Sequence, residues 1–239
     1  MRILVCAAMA ALLLSVPIAD SMGFMPESGP SPWLGSEFRP VVGHWSEYQM
    51  TPKGEKPMTM RIAIVGKEGD DYWYETVMVL EGQEKMITKK LVSGDPDNDE
   101  NVKRMIMKSG DEPATEMPVQ MMKMMGPDGG LPQMMMQGEE EPEVEEPEAK
   151  PVDLGVASVT VPAGTFKAHH WQFVTKEEAV DAWVSEKVRP HGLVRMAAKD
   201  FEMVLIGHGD DAKSLITETP QRMSMPNIKM PGMPSMPGQ

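Results

Sequence analysis

The stretch VTVPAGTFKAHHWQF, residues 159–173, followed by DAWVSEKVRPHGLVRM, residues 181–196, decides the fold of this chain. Valine, threonine and aromatic residues alternate with polar ones in both, as a pleated surface with one buried side requires. Pro162-Ala163-Gly164 interrupts the first run with residues suited to a tight turn, and Arg189-Pro190-His191-Gly192 interrupts the second. LGVASVTV (154–161) precedes them; FEMVLIGHG (201–209) and KSLITET (213–219) follow. The spacing predicts a succession of short antiparallel strands.

Upstream the same pattern recurs. HWSEYQM (44–50), MTMRIAIVG (58–66), YWYETVMVL (72–80), KMITKKLV (85–92) and VKRMIMK (102–108) are separated by polar or Gly/Asp turns, which predicts a β-meander. Neither half alone has enough strands to bury both its edges and an apolar face. One continuous sheet from residues 24–110 and 152–220 is therefore expected.

Residues 111–151 break the pattern. Residues 117–136 hold eight methionines among Pro and Gly, and Glu139–Glu148 hold seven glutamates. With no alternating face to bury and strong mutual repulsion, this stretch is expected to be a disordered acidic, Met-rich insertion outside the sheet. Loop closure costs only about 0.6 kcal/mol per doubling of length, so a short linker is expected to replace it. The Met/Pro-rich residues 221–239 are expected to be a disordered tail.

The first residues, MRILVCAAMAALLLSVPIADSMG, combine Arg2, an apolar run from Ile3 to Val16 and small residues near Ala19, Ser21 and Gly23. This is the pattern of a secretory signal peptide over residues 1–23, with a periplasmic or secreted product and no membrane segment after cleavage. The only cysteine, Cys6, lies inside that segment and is not placed as a lipobox. The mature chain must then fold without disulfides. A net charge of −13 speaks against nucleic acid or an anionic membrane surface as a partner.

VPAGTFKAHHWQF with the AWVSEKVRPHGLVRM strand pair and a last strand near SLI resembles exported bacterial domains related to the lipoprotein carriers LolA and LolB. The resemblance implies an all-β fold, a curved antiparallel sheet or incomplete barrel, whose concave face holds a hydrophobic or lipid-like ligand.

No metalloprotease, phosphate-loop or nucleophile-elbow motif occurs, so no catalytic residue and no enzyme activity are expected. His169 and His170 are adjacent in a strand and must point to opposite faces. His44, His191 and His208 stand beside Gly or Pro at strand ends, where exposure is expected. Ser158, Ser185 and Ser214 fall in predicted strands without an evident partner. Trp73, Trp171 and Trp183 sit mid-strand, as sheet core or as walls of a ligand cavity.

The leading expectation is a non-enzymatic periplasmic binding or envelope-maintenance protein without a cofactor, its ligand held near those tryptophans. An alternative of another class is Cu(I) binding by the thioethers of Met121, Met122, Met124 and Met125 and of Met134, Met135 and Met136, since soft sulfur donors suit that ion. A third reading is an interaction protein that docks a partner through the Met/Glu loop.

Overall fold

The structure, a computed structural model, describes residue 33 and residues 36–118, 150–174 and 179–223. The expected signal peptide, Met121 to Met136 and the acidic tract lie outside the described residues. The described residues form twelve strands: β1 Trp45–Pro52, β2 Met58–Glu68, β3 Asp71–Leu80, β4 Met86–Val92, β5 Val102–Ser109, β6 Thr115–Met117, β7 Lys150–Val161, β8 Gly164–Val174, β9 Ala179–Val184, β10 Leu193–Ala197, β11 Phe201–Gly209 and β12 Gln221–Arg222. They form one open sheet in the order β12-β6-β5-β4-β3-β2-β1-β11-β10-β9-β8-β7. Among these strands only β12 and β6 pair in parallel. The expected all-β class and single curved sheet are what forms.

The two halves join where β1 pairs with β11, which sets Tyr48 opposite Leu205 and Met50 opposite Met203. Strict alternation along β1 sends Ser46, Tyr48 and Met50 to one side. That side is the concave face, filled by the fully buried Tyr48, Ile62, Ile64, Leu193, Met203 and Leu205. Each such side chain contributes roughly 1.5–3 kcal/mol on burial. The tip of the β7–β8 hairpin folds back on this core, with Ala163 N–H donating to Leu205 O at 3.2 Å.

A second, smaller cluster of Val77, Ile87, Ile106, Ala114 and Ile216 occupies the reverse face, with Trp73 packed against it. Ile216 is brought there by residues 211–219, which cross that face as a strap. The strand expected over 213–219 does not form. Its polar groups turn instead to Glu75, which accepts from Leu215 N–H at 3.0 Å and from the Ser214 hydroxyl at 2.6 Å. Ser214 therefore has the partner that the sequence did not disclose.

The limits of the sheet also differ from expectation. Thr115–Met117 and Lys150-Pro151 belong to it although they fall within the expected insertion, and Gln221-Arg222 pair with Thr115-Glu116 although they open the expected tail. Pairing of two or three residues is decided by a neighbouring strand and leaves no periodicity to read. The strand order also bears on the linker. β6 is second and β7 twelfth in the sheet order, ten places apart, a path of roughly 48 Å along the sheet surface at ~4.8 Å per strand, which the curvature shortens in space. Five residues reach at most about 18 Å.

Replacing residues 119–149 with a five-residue Gly/Ser linker should therefore yield no folded monomer, whereas a 30-residue Gly/Ser linker should keep Tm within about 5 °C. Size-exclusion chromatography with a thermal melt checks this. A stable short-linker monomer with the parent's Tm would contradict the topology.

Candidate functional site

A cleft of ≈ 260 Å³ opens at the end of the concave face formed by β8, β9 and β10. Its floor follows from the register. One cross-strand row runs Val156, His169, Val184, Leu193 from the sheet edge inward. The adjacent row runs Asp153, Trp171, Ala182, Met196. His169 stacks on Trp171 with ring centroids 4.6 Å apart and 12° between planes. Its Nε2 meets Asp153 Oδ1 at 2.6 Å. The Asp153 carboxyl is held below the usual carboxylate range, first by the Gly155 backbone N–H and then by His169.

The roof consists of residues 36–39 and the turn 185–192. Ser185 N–H donates to Gly192 O at 2.7 Å, which closes the turn, and Arg39 N–H donates to Pro190 O at 2.9 Å, which lays the N-terminal segment against it. Gly192 has φ 84°, and a Cβ there would stand 3.0 Å from Val184 and 3.2 Å from Ser185 O. Glycine is thus required where roof meets floor. At the mouth the Arg39 guanidinium bridges Glu37 at 2.8 Å and Glu186 at 3.6 Å. All three are exposed, so the clasp is weak and can open.

His191 forms the inner wall and is buried, which corrects the expected exposure of this residue. It is stacked on Trp33 at 4.1 Å and 13°, flanked by Phe38 at 5.3 Å and met edge-on by Tyr74 at 5.7 Å. The Tyr74 hydroxyl and His191 Nε2 are hydrogen-bonded at 3.0 Å. Burial pushes the imidazole down to about 3, so it is neutral at physiological pH. Burial likewise pushes the Tyr74 and Tyr48 phenols up, and the Tyr48 hydroxyl donates to Leu193 O at 3.1 Å. Ser185 also lines the cleft, but the Nε2 that could activate a hydroxyl is committed to Tyr74.

Of the tryptophans singled out in the sequence, only Trp171 lines this cleft. Trp183 is opposite His170 in the register and stacks on it at 4.3 Å, on the other side of the sheet from Ala182. Arg195 covers it at 5.2 Å. Trp73 lies on the reverse face with Lys89 4.9 Å and Arg104 5.1 Å from its ring. The adjacent His169 and His170 point to opposite faces as expected, each toward an aspartate, Asp153 and Asp181. Among the described residues no three of His, Cys, Asp and Glu are grouped to hold a metal ion. Sequence reasoning missed Arg39 and His191, because the roof assembles from segments about 150 residues apart.

These features define a class: an open, curved antiparallel sheet with a narrow aromatic cleft at one end. No family model matches the chain, and no curated protein matches it. Among solved structures, MucB in complex with MucA(peri) is similar at 6% identity and a TM-score of 0.42, over 75% of this chain and 54% of that one. The chain thus spans about half the length of that MucB chain. An exported protein with a YmcC-like fold from Bacteroides fragilis NCTC 9343 is similar at 10% identity and a TM-score of 0.32, covering 73% of this chain and 99% of its own. A lipoprotein from Parabacteroides distasonis ATCC 8503 gives 14% and 0.32, covering 72% and 97%.

Proposed function

We propose that this chain is a non-enzymatic binding protein of the periplasm or cell envelope, and that its cleft takes a hydrophobic or lipid-like group. The cleft beside Trp171 carries this reading. Trp171, Val184, Val188 and Pro190 give it apolar walls, and the neutral His191 adds no charge. Its volume falls just below the roughly 300–1,000 Å³ usual for small-molecule sites. The ligand is accordingly one acyl chain or one ring system, not a whole diacyl lipid. The centre of the concave face is packed with its own side chains, and of the two openings beside it the cleft is the more enclosed, the other being a wider hollow of ≈ 550 Å³ between Phe38, Tyr72 and the turn 93–95. The signal-peptide pattern read in residues 1–23 supports the location. Among the described residues no helix is long and apolar enough to cross a membrane.

The test is fluorescence of the neutral probe N-phenyl-1-naphthylamine, competed with a single-chain fatty acid. Trp171→Ala should weaken probe binding at least tenfold, about 1.4 kcal/mol, and Trp73→Ala and Trp183→Ala should stay within about twofold. A parent protein that leaves the probe dark, or equal losses in all three variants, would refute the assignment.

A further inference from the structure

Seven methionines lie in two adjacent cross-strand rows of the concave face, the first of which continues the row Trp171, Ala182, Met196 across the sheet from the cleft floor. Met58 on β2 is opposite Met50 on β1, Met50 is opposite Met203 on β11, and Met203 is opposite Met196 on β10. The row therefore crosses four adjacent strands without another residue type. In the next row Met60, Met78 and Met86 are successive partners on β2, β3 and β4. Met50, Met58, Met60, Met196 and Met203 are buried, at 0–5% exposure.

Filling a sheet core does not by itself call for methionine, since β-branched and aromatic side chains pack better on a pleated surface. Directly opposed residues have Cβ atoms about 4.5–5.5 Å apart. A side chain with three rotatable bonds can bring its sulfur to a common centre from there. Neutral thioethers are soft donors that favour Cu(I) over hard cations, and a monovalent ion keeps the buried charge small. The row also lies near solvent-exposed turns. Met58 and Met86 open their strands and Met196 and Met203 lie within two residues of strand ends, next to the exposed turns 53–57, 81–85 and 199–200.

We propose that this methionine row binds one Cu(I) ion through the thioethers of Met50, Met58 and Met203, with Met196 and Met60 beside them. Met50, Met58 and Met203 do not line the aromatic cleft, although Met196 shares a cross-strand row with Trp171, and metal binding is read apart from probe binding in the cleft.

The test titrates the full chain, labelled with ¹³C at the methionine methyls, with Ag(I) as a redox-inert substitute for Cu(I). The methyl resonances of Met50, Met58 and Met203 should shift and saturate at one equivalent. The M50L/M58L/M203L variant should lose that equivalent, and M121L/M122L/M124L/M125L should keep it. Should the triple variant fail to fold, M203L alone should weaken binding at least tenfold while retaining the native melt. The proposal is overturned if no resonance moves, if only those removed by the Met121–Met125 substitutions move, or if M203L binds as the parent does.

Discussion

Glu75→Ala should cost about 3–5 kcal/mol in urea unfolding, because it removes the acceptor on which a buried strap is fastened. Glu75 is fully buried, opposite Ala63 on β2 and Lys89 on β4. Its carboxylate receives Leu215 N–H and the Ser214 hydroxyl, and Lys89 donates to that same hydroxyl at 3.0 Å. Burial lowers the Lys89 ammonium, and the nearby Glu75 charge opposes that shift. Alanine would leave an amide and an ammonium without their anion and would loosen Ile216 from the reverse-face cluster. The strap's other fastenings, Asp211 with Trp45 Nε1 at 2.8 Å, Ala212 N–H with Gly43 O at 2.7 Å and Glu218 with Lys108 and the Ala114 N–H, lie toward its ends and do not reach the buried middle at Leu215. Amide exchange across 212–218 should accelerate together with the loss of stability. A cost below about 1 kcal/mol with unchanged exchange would mean that Ile216 and the end fastenings hold the strap without Glu75.

Acidification should weaken the fold from pH 6.5 downward, well before carboxylates titrate. His191 has an ordinary value of 6.5 and is held near 3 in the folded chain by burial. Below pH 6.5 the unfolded chain therefore binds a proton that the folded chain refuses. Stability from this group is fully present above 6.5 and falls by about 1.4 kcal/mol per pH unit until pH approaches 3. Between pH 6.5 and 4.5 the loss approaches about 3 kcal/mol. His191→Phe keeps a ring against Trp33 and Phe38 and removes the titration, at the cost of the Tyr74 hydrogen bond. Unfolding at several pH values should give the variant a lower stability at pH 7.5 and a flatter slope between 6.5 and 4.5. Parallel slopes would show that His191 admits a proton without opening the aromatic box.

The strands of both halves were legible because alternation and turn residues are local signals. Met60, Ile62 and Ile64 share a face in β2, as period two requires, and Pro162-Ala163-Gly164 turns the β7–β8 hairpin. Glu75 was illegible for the opposite reason. In YWYETVMVL it alternates like a solvent-facing residue, and it is buried only because residues 211–219 return over it from far along the chain. KSLITET reads as a strand since its composition is that of one, yet its hydrogen bonds go to a side chain. The methionines of β1, β2, β10 and β11 each look like ordinary inward residues. Their convergence exists only in the register.

By itself, the sequence determined the all-β class, the union of two strand-rich halves, the opposed directions of His169 and His170, and a composition with no catalytic motif. Those properties depend on residues within a few positions of one another, where pleat geometry and turn preferences act directly. Only the tertiary structure decided which tryptophan faces a cleft, that His191 is walled in by Trp33 and Phe38, that Glu75 anchors a strap, and that the ends of the Met/Glu segment lie at opposite sides of the sheet. Each of these depends on strand order and register, which are fixed by the joint burial of distant residues and by no local pattern.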